Sequence, residues 1–181
     1  MKGLEFRYLE HTLEVFGDSN HKAPSHTFWQ PPDLGTFKLN IDVAMRQHYS
    51  TIAVIAQDGE GSVCNAWARM LDTVDLDIAE ALAIKWVVQL ASEETFSRII
   101  VESDSNRCIE SIIGNLENTC WKIEAICSAV NILALDFISC CFSWVKRDAN
   151  SALHELAKFA AHLGAPLYCN ASSLPPNVFK A

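Results

Sequence analysis

Hydrophobic and polar positions alternate strictly from Phe37 to Val43. Phe37, Leu39, Ile41 and Val43 fall on one side and Lys38, Asn40 and Asp42 on the other, the period-two pattern of a strand. Thr51 to Ala56 is short and continuously apolar, as a buried strand is. Gln57-Asp58-Gly59-Glu60-Gly61 then has turn chemistry. Ser62 to Leu71 reads as the returning strand of an antiparallel meander. From Asp77 to Ser92 the period becomes helical, with Lys85, Gln89, Ser92 and Glu93 on one polar stripe and Glu80 nearly opposite it. Arg98 to Val101 predicts a fourth strand. A helix carrying Ile109, Ile112 and Ile113 follows, and another runs from Trp121 to Leu135. A fifth strand spans Phe137 to Val145, with Ile138, Cys140, Phe142 and Trp144 on one face. The last helix, Ser151 to Leu163, is stopped by Gly164 and Pro166.

The resulting order is β-β-β-α-β-α-α-β-α. Hairpins first and crossovers later imply a mixed α/β fold, with a five-stranded mixed sheet and helices on both faces. Ahead of it, Phe6, Leu9, Leu13 and Phe16 recur at helical spacing and lead into a Gly-, Ser- and Pro-containing stretch. We divide the chain into an N-terminal helical extension and linker, 1–28, and one domain, 29–181.

Composition constrains the partners. The 181 residues hold 14 Lys plus Arg against 22 Asp plus Glu, a formal charge of −8. Phosphate contacts normally come from a basic surface, so this balance does not by itself suggest a nucleic-acid binder. The seven cysteines are odd in number and form no CxxC pair. Most lie among apolar residues, as small hydrophobes do, so reduced thiols and an intracellular location, cytoplasmic or nuclear, are expected. The charged N-terminus does not resemble a signal peptide, and no run has the apolar length of a membrane span.

Candidate chemistry lies where acids interrupt apolar patterns. Asp42 ends the polar side of the first strand, a position more often filled by a turn or capping residue. Asp77-x-x-Glu80 has the spacing of a capping box, yet the angular position of Glu80 turns it toward the core, where an unpaired carboxylate is costly. Asp104 closes an apolar strand and precedes a helix, where either a first-turn acid or a ligand-binding residue is found. Three carboxylates so placed match the oxygen ligands that Mg²⁺ prefers.

Four motifs occur in order: Lys38-Leu39-Asn40-x-Asp42, Ala79-Glu80-Ala81-x-Ala83, Val101-Glu102-Ser103-Asp104-Ser105, and Arg147-x-x-Asn150-x-x-x-His154-x-Leu156-Ala157-Lys158. From about residue 29 onward the chain resembles the type 1 ribonuclease H superfamily, and most closely the plant ribonuclease H-like domains of retroelement-derived proteins. The resemblance implies a ribonuclease H-like fold and a divalent-metal-dependent endonuclease that cleaves the RNA strand of RNA–DNA hybrids. It implies Asp42, Glu80 and Asp104 as metal ligands, with His154 as the fourth catalytic position. Two Mg²⁺ or Mn²⁺ ions are implied when substrate is bound. Nucleic-acid contacts are expected from Lys38, Asn40, Ser105, Lys146, Arg147 and Asn150.

The chain departs from the family pattern at four places, one of them the loop Lys146-Arg147-Asp148-Ala149 before the last helix, which lacks the His that many active members carry. His154 stands where an Asp is usual, and imidazole is a poor partner for Mg²⁺. Val43 replaces the Gly that follows the first acid, and its side chain is expected to obstruct close approach of the RNA strand. Ala53 stands where a Gly is expected in the second strand. These departures and the acidic charge support an alternative, a degenerate domain of weak or no activity that acts as a binding module. A flavodoxin-like binding protein fits less well, because no Gly-rich phosphate loop follows the first strand.

Overall fold

The computed structural model describes residues 30–114, 119–146, 151–170 and 172–173. The predicted helix at 5–16 and the boundary near Trp29 lie outside these residues. The elements are β1 (Phe37–Met45), β2 (Ser50–Gln57), β3 (Val63–Leu71), α1 (Leu76–Glu93), β4 (Arg98–Ser103), α2 (Asn106–Ile113), α3 (Trp121–Ala134), β5 (Ser139–Trp144), α4 (Ser151–Leu163) and β6 (Leu167–Asn170). One six-stranded sheet has the order β5-β4-β1-β2-β3-β6. β1, β2 and β3 form the antiparallel meander, while β4 pairs parallel to β1 and β5 parallel to β4.

The alternation in β1 sorts its residues between two cores. Leu39, Ile41 and Val43 join Ile52 and Val54 against Ile84, Val87 and Val88 of α1 and Ile123 and Val130 of α3. Each fully buried aliphatic side chain here contributes about 1.5–3 kcal/mol. The other face is lined by small residues, Ala44, Ala53, Ala66 and Ala68, with Ile55. They accept Leu153, Leu156, Ala157 and Ala160 of α4. Helices therefore cover both faces, as the element order implies.

Two expectations are corrected. The sheet has six strands rather than five, because β6 pairs antiparallel with Asn65 to Ala68 of β3. With four residues it is too short to show alternation. The other correction concerns the start of β5. Phe137 is buried and Ile138 is exposed, the reverse of the expected facing. The backbone N–H of Ile138 is turned to donate to the Ser97 carbonyl before the regular strand begins.

All seven cysteines are free thiols. Burial pushes Cys108 and Cys140 up to about 12 and Cys127 up to about 11. Raised pKa values favour the folded thiol below the ordinary value near 9, so this contribution is lost as pH climbs from there toward 11–12. At about pH 8, iodoacetamide is expected to label the exposed Cys141 first. Cys108, Cys127 and Cys140 should react only after unfolding, as peptide mass spectrometry will read.

Candidate active site

The site is set by the parallel pairing of β1 with β4. Asn40 stands opposite Glu102 and Ile41 opposite Ser103, so Asp42 follows the last ladder pair on β1 and Asp104 follows it just past the end of β4. On the other side of β1, Asp42 faces the small Ala53 of β2. Asp42 is buried at 2 % exposure, while Asp104 is half-buried where the chain leaves the sheet. That exit is fixed by three contacts. Trp144 Nε1 of β5 donates to the Asp104 carbonyl at 3.1 Å, Ser105 N–H to Ser103 Oγ at 3.1 Å, and Val145 N–H to the Ser103 carbonyl at 2.9 Å.

Glu80 arrives from α1. The capping-box reading of Asp77 and Glu80 is corrected here: the N-cap is Asp75, whose side chain accepts from Ile78 N–H at 3.3 Å. Asp75 also pairs with Lys122 at 2.7 Å, which holds its carboxyl below the usual range. The helix starts earlier than the pattern suggests, and Glu80 lies beyond its first turn. Glu80 is buried at 6 % exposure. Its charge is felt by Cys108, whose thiol is raised first by burial and further by Glu80, against a hydrogen bond from Ser105.

Asp42, Glu80 and Asp104 line one cavity of about 550 Å³, with Ser105 on its wall. Sequence reasoning had not placed Arg46, Asp77 or Lys158 there, yet all three line it. Asp77 is paired with Arg107 at 2.6 Å. Lys158 follows position 154 by four residues, one helical turn, a spacing that offers a retrospective signal. Among the described residues, no three His, Cys, Asp or Glu side chains stand in a group that could hold a metal ion. The acids share a cavity without forming a ready ion cage.

The remaining expected residues divide. Lys38 and Asn40 are buried and bonded to Glu102. Lys146 is exposed just past β5. Arg147 and Asn150 lie outside the described residues, as does the side chain of His154 in α4. Val43 does not stand proud of the surface. It is 5 % exposed and belongs to the main apolar cluster, while also lining the cavity.

A family model described as reverse transcriptase-like matches residues 40–160. No curated protein matches at a significant level. Among solved structures, ribonuclease H1 of the halophilic archaeon Halobacterium salinarum is 18 % identical with a TM-score of 0.64, over 70 % of this chain and 98 % of that one. The N-terminal ribonuclease H domain of a Mycobacterium tuberculosis protein is 17 % identical with a TM-score of 0.63, over 71 % and 95 %. A ribonuclease H1 isolated from compost, solved in complex with an RNA/DNA hybrid, is 13 % identical with a TM-score of 0.57, over 68 % and 94 %. At these identities the likenesses establish the fold.

The burial of Val43 yields a test. Val43→Gly removes a core side chain and loosens the strand, so a loss of about 2–4 kcal/mol is expected from chemical denaturation. A variant as stable as the parent would contradict the packing described.

Proposed function

The chain belongs to the reverse transcriptase-like family, within the ribonuclease H superfamily, and from that membership we propose that it is a divalent-metal-dependent endonuclease acting on the RNA strand of RNA–DNA hybrids. The observation that carries this reading is the shared cavity, into which β1, β4 and α1 bring Asp42, Asp104 and Glu80. Its donor set is all carboxylate oxygen, the chemistry that suits Mg²⁺ or Mn²⁺. Asp42, Glu80 and Asp104 would hold the ions. Bound there, a metal pair supplies an activated water and a stabilised leaving oxygen.

The chain's own residues do the rest. Burial of Asp42 and Glu80 limits the water around both carboxylates, which strengthens their attraction for a cation. Arg46 and Lys158 line the same cavity and bring the positive charge that phosphate oxygens attract. Recognition of the RNA strand by 2′-hydroxyls and helical shape predicts little sequence preference. The compost ribonuclease H1 bound to an RNA/DNA hybrid supports a hybrid as the ligand class.

One observation favours a second reading, a catalytically weak domain that binds without efficient cleavage. The described acids do not form a preassembled cage, and two cations share their cavity. No described helix is long and apolar enough to cross a membrane.

A labelled RNA–DNA hybrid separates the two. The enzyme reading expects cleavage with Mg²⁺ or Mn²⁺, none in chelator, and a loss of about a hundredfold or more in Asp42→Asn, which keeps the size and removes the charge. Cleavage that survives chelation or the substitution would refute the metal mechanism. Hybrid binding is expected to be weak and to fall steeply with salt, because the chain carries a net −8 and relies on local cations. Salt titration of binding by fluorescence anisotropy checks this, and a flat response would point to stacking instead.

A further inference from the structure

Below the cavity, on the polar face of β1, three side chains form a connected group. Asn40 Nδ2 donates to Glu102 Oε2 at 2.8 Å, and Lys38 Nζ pairs with Glu102 Oε1 at 2.8 Å. Lys38 also donates to the Gln30 carbonyl at 2.7 Å. All three side chains belong to buried residues. Stability alone does not explain an ion pair here, because apolar residues of similar volume often serve as well or better in such a place. The pair supplies direction instead. Asn40 and Glu102 are register partners across the parallel β1–β4 ladder, and their hydrogen bond joins the two strands side chain to side chain. A one-residue slip would turn one partner to the opposite face and break it. Asp42 and Asp104 stand two residues further along the same strands, just past the last ladder pair, Ile41 with Ser103.

We propose that Glu102 is a positioning residue: through Asn40 it ties β1 to β4 and so holds the Asp42 and Asp104 carboxylates level for ion binding. Lys38, two residues earlier on β1, crosses to the same carboxylate and neutralises it, while Asn40 makes the tie between register partners. The proposal rests on the metal-binding reading of the cavity. A purely structural role makes a different claim, that any well-packed replacement of the pair suffices.

Two double variants of the full chain distinguish these roles, with Mn²⁺ binding read by calorimetry beside thermal melting. Lys38→Met with Glu102→Gln removes both charges and keeps an acceptor for Asn40. Lys38→Met with Glu102→Leu removes the charges and the acceptor together. The first is expected to bind Mn²⁺ like the parent. The second is expected to melt near the parent yet bind at least about tenfold more weakly, the scale seen when groups behind metal ligands are lost. Asn40→Ala, which leaves the ion pair intact, should show the same loss and serves if the Leu variant does not fold. Equal Mn²⁺ affinity in all variants overturns the proposal and leaves the metal site standing. A loss in affinity that only follows a loss in melting temperature also overturns it. If the parent itself binds no Mn²⁺, the metal reading falls and the proposal with it.

Discussion

The parallel pairing of β1 with β4 is the constraint from which the rest of the structure follows. The two strands are joined only through the long excursion of β2, β3 and α1, so no tight turn fixes their register. Register is fixed by what each face must bury. Leu39 and Ile41 lie under α1, while Asn40 and Glu102 satisfy one another on the opposite face. With that pairing in place, the strand ends fall together, and a cavity opens where the ladder stops and α1 begins.

Charge in this protein is organised by depth. At the surface Asp75 with Lys122 and Asp77 with Arg107 fasten the start of α1 to its neighbours, contributing little each in water. Inside, Glu102 is matched by a cation and an amide, and its burial is tolerated for that reason. Asp42 and Glu80 are equally deep but border the cavity, together with Arg46 and Lys158. Asp104 and Asp77 line it as well, so the cavity is acidic like the chain as a whole, with two cations on its wall.

Much of this was legible in the chain. The alternation through Phe37 to Val43 placed β1 and its two faces correctly, since a period of two has only one structural reading at that length. The acids of the cavity were found because each broke an apolar pattern in a recognisable order. What alternation does not reveal is whether a polar face meets water. Lys38 and Asn40 therefore read as surface contacts, although Glu102 encloses them. The cap of α1 was misplaced for a similar reason. Asp75 and Asp77 both precede an apolar run, and only the backbone geometry chooses between them. Arg46 and Lys158 were missed as cavity residues because each comes from a separate element, and their convergence is a property of the packing. Val43 was read from family pattern as an obstruction; its strand phase also places it with Leu39 and Ile41 in the core, and it lines the cavity besides.

β6 has a consequence outside the chemistry. Its four residues cover the middle of β3, and Tyr168 tilts against Trp67 with ring centroids 6.1 Å apart. A strand with an uncovered row of amides and carbonyls is a template for another chain. A protein cut after Leu163 would keep every acid of the cavity and yet offer β3 as an adhesive margin to its neighbours. With β6 in place the edge of the sheet is a strand of four residues instead of the nine of β3, a shorter row of open groups for a neighbour to pair with.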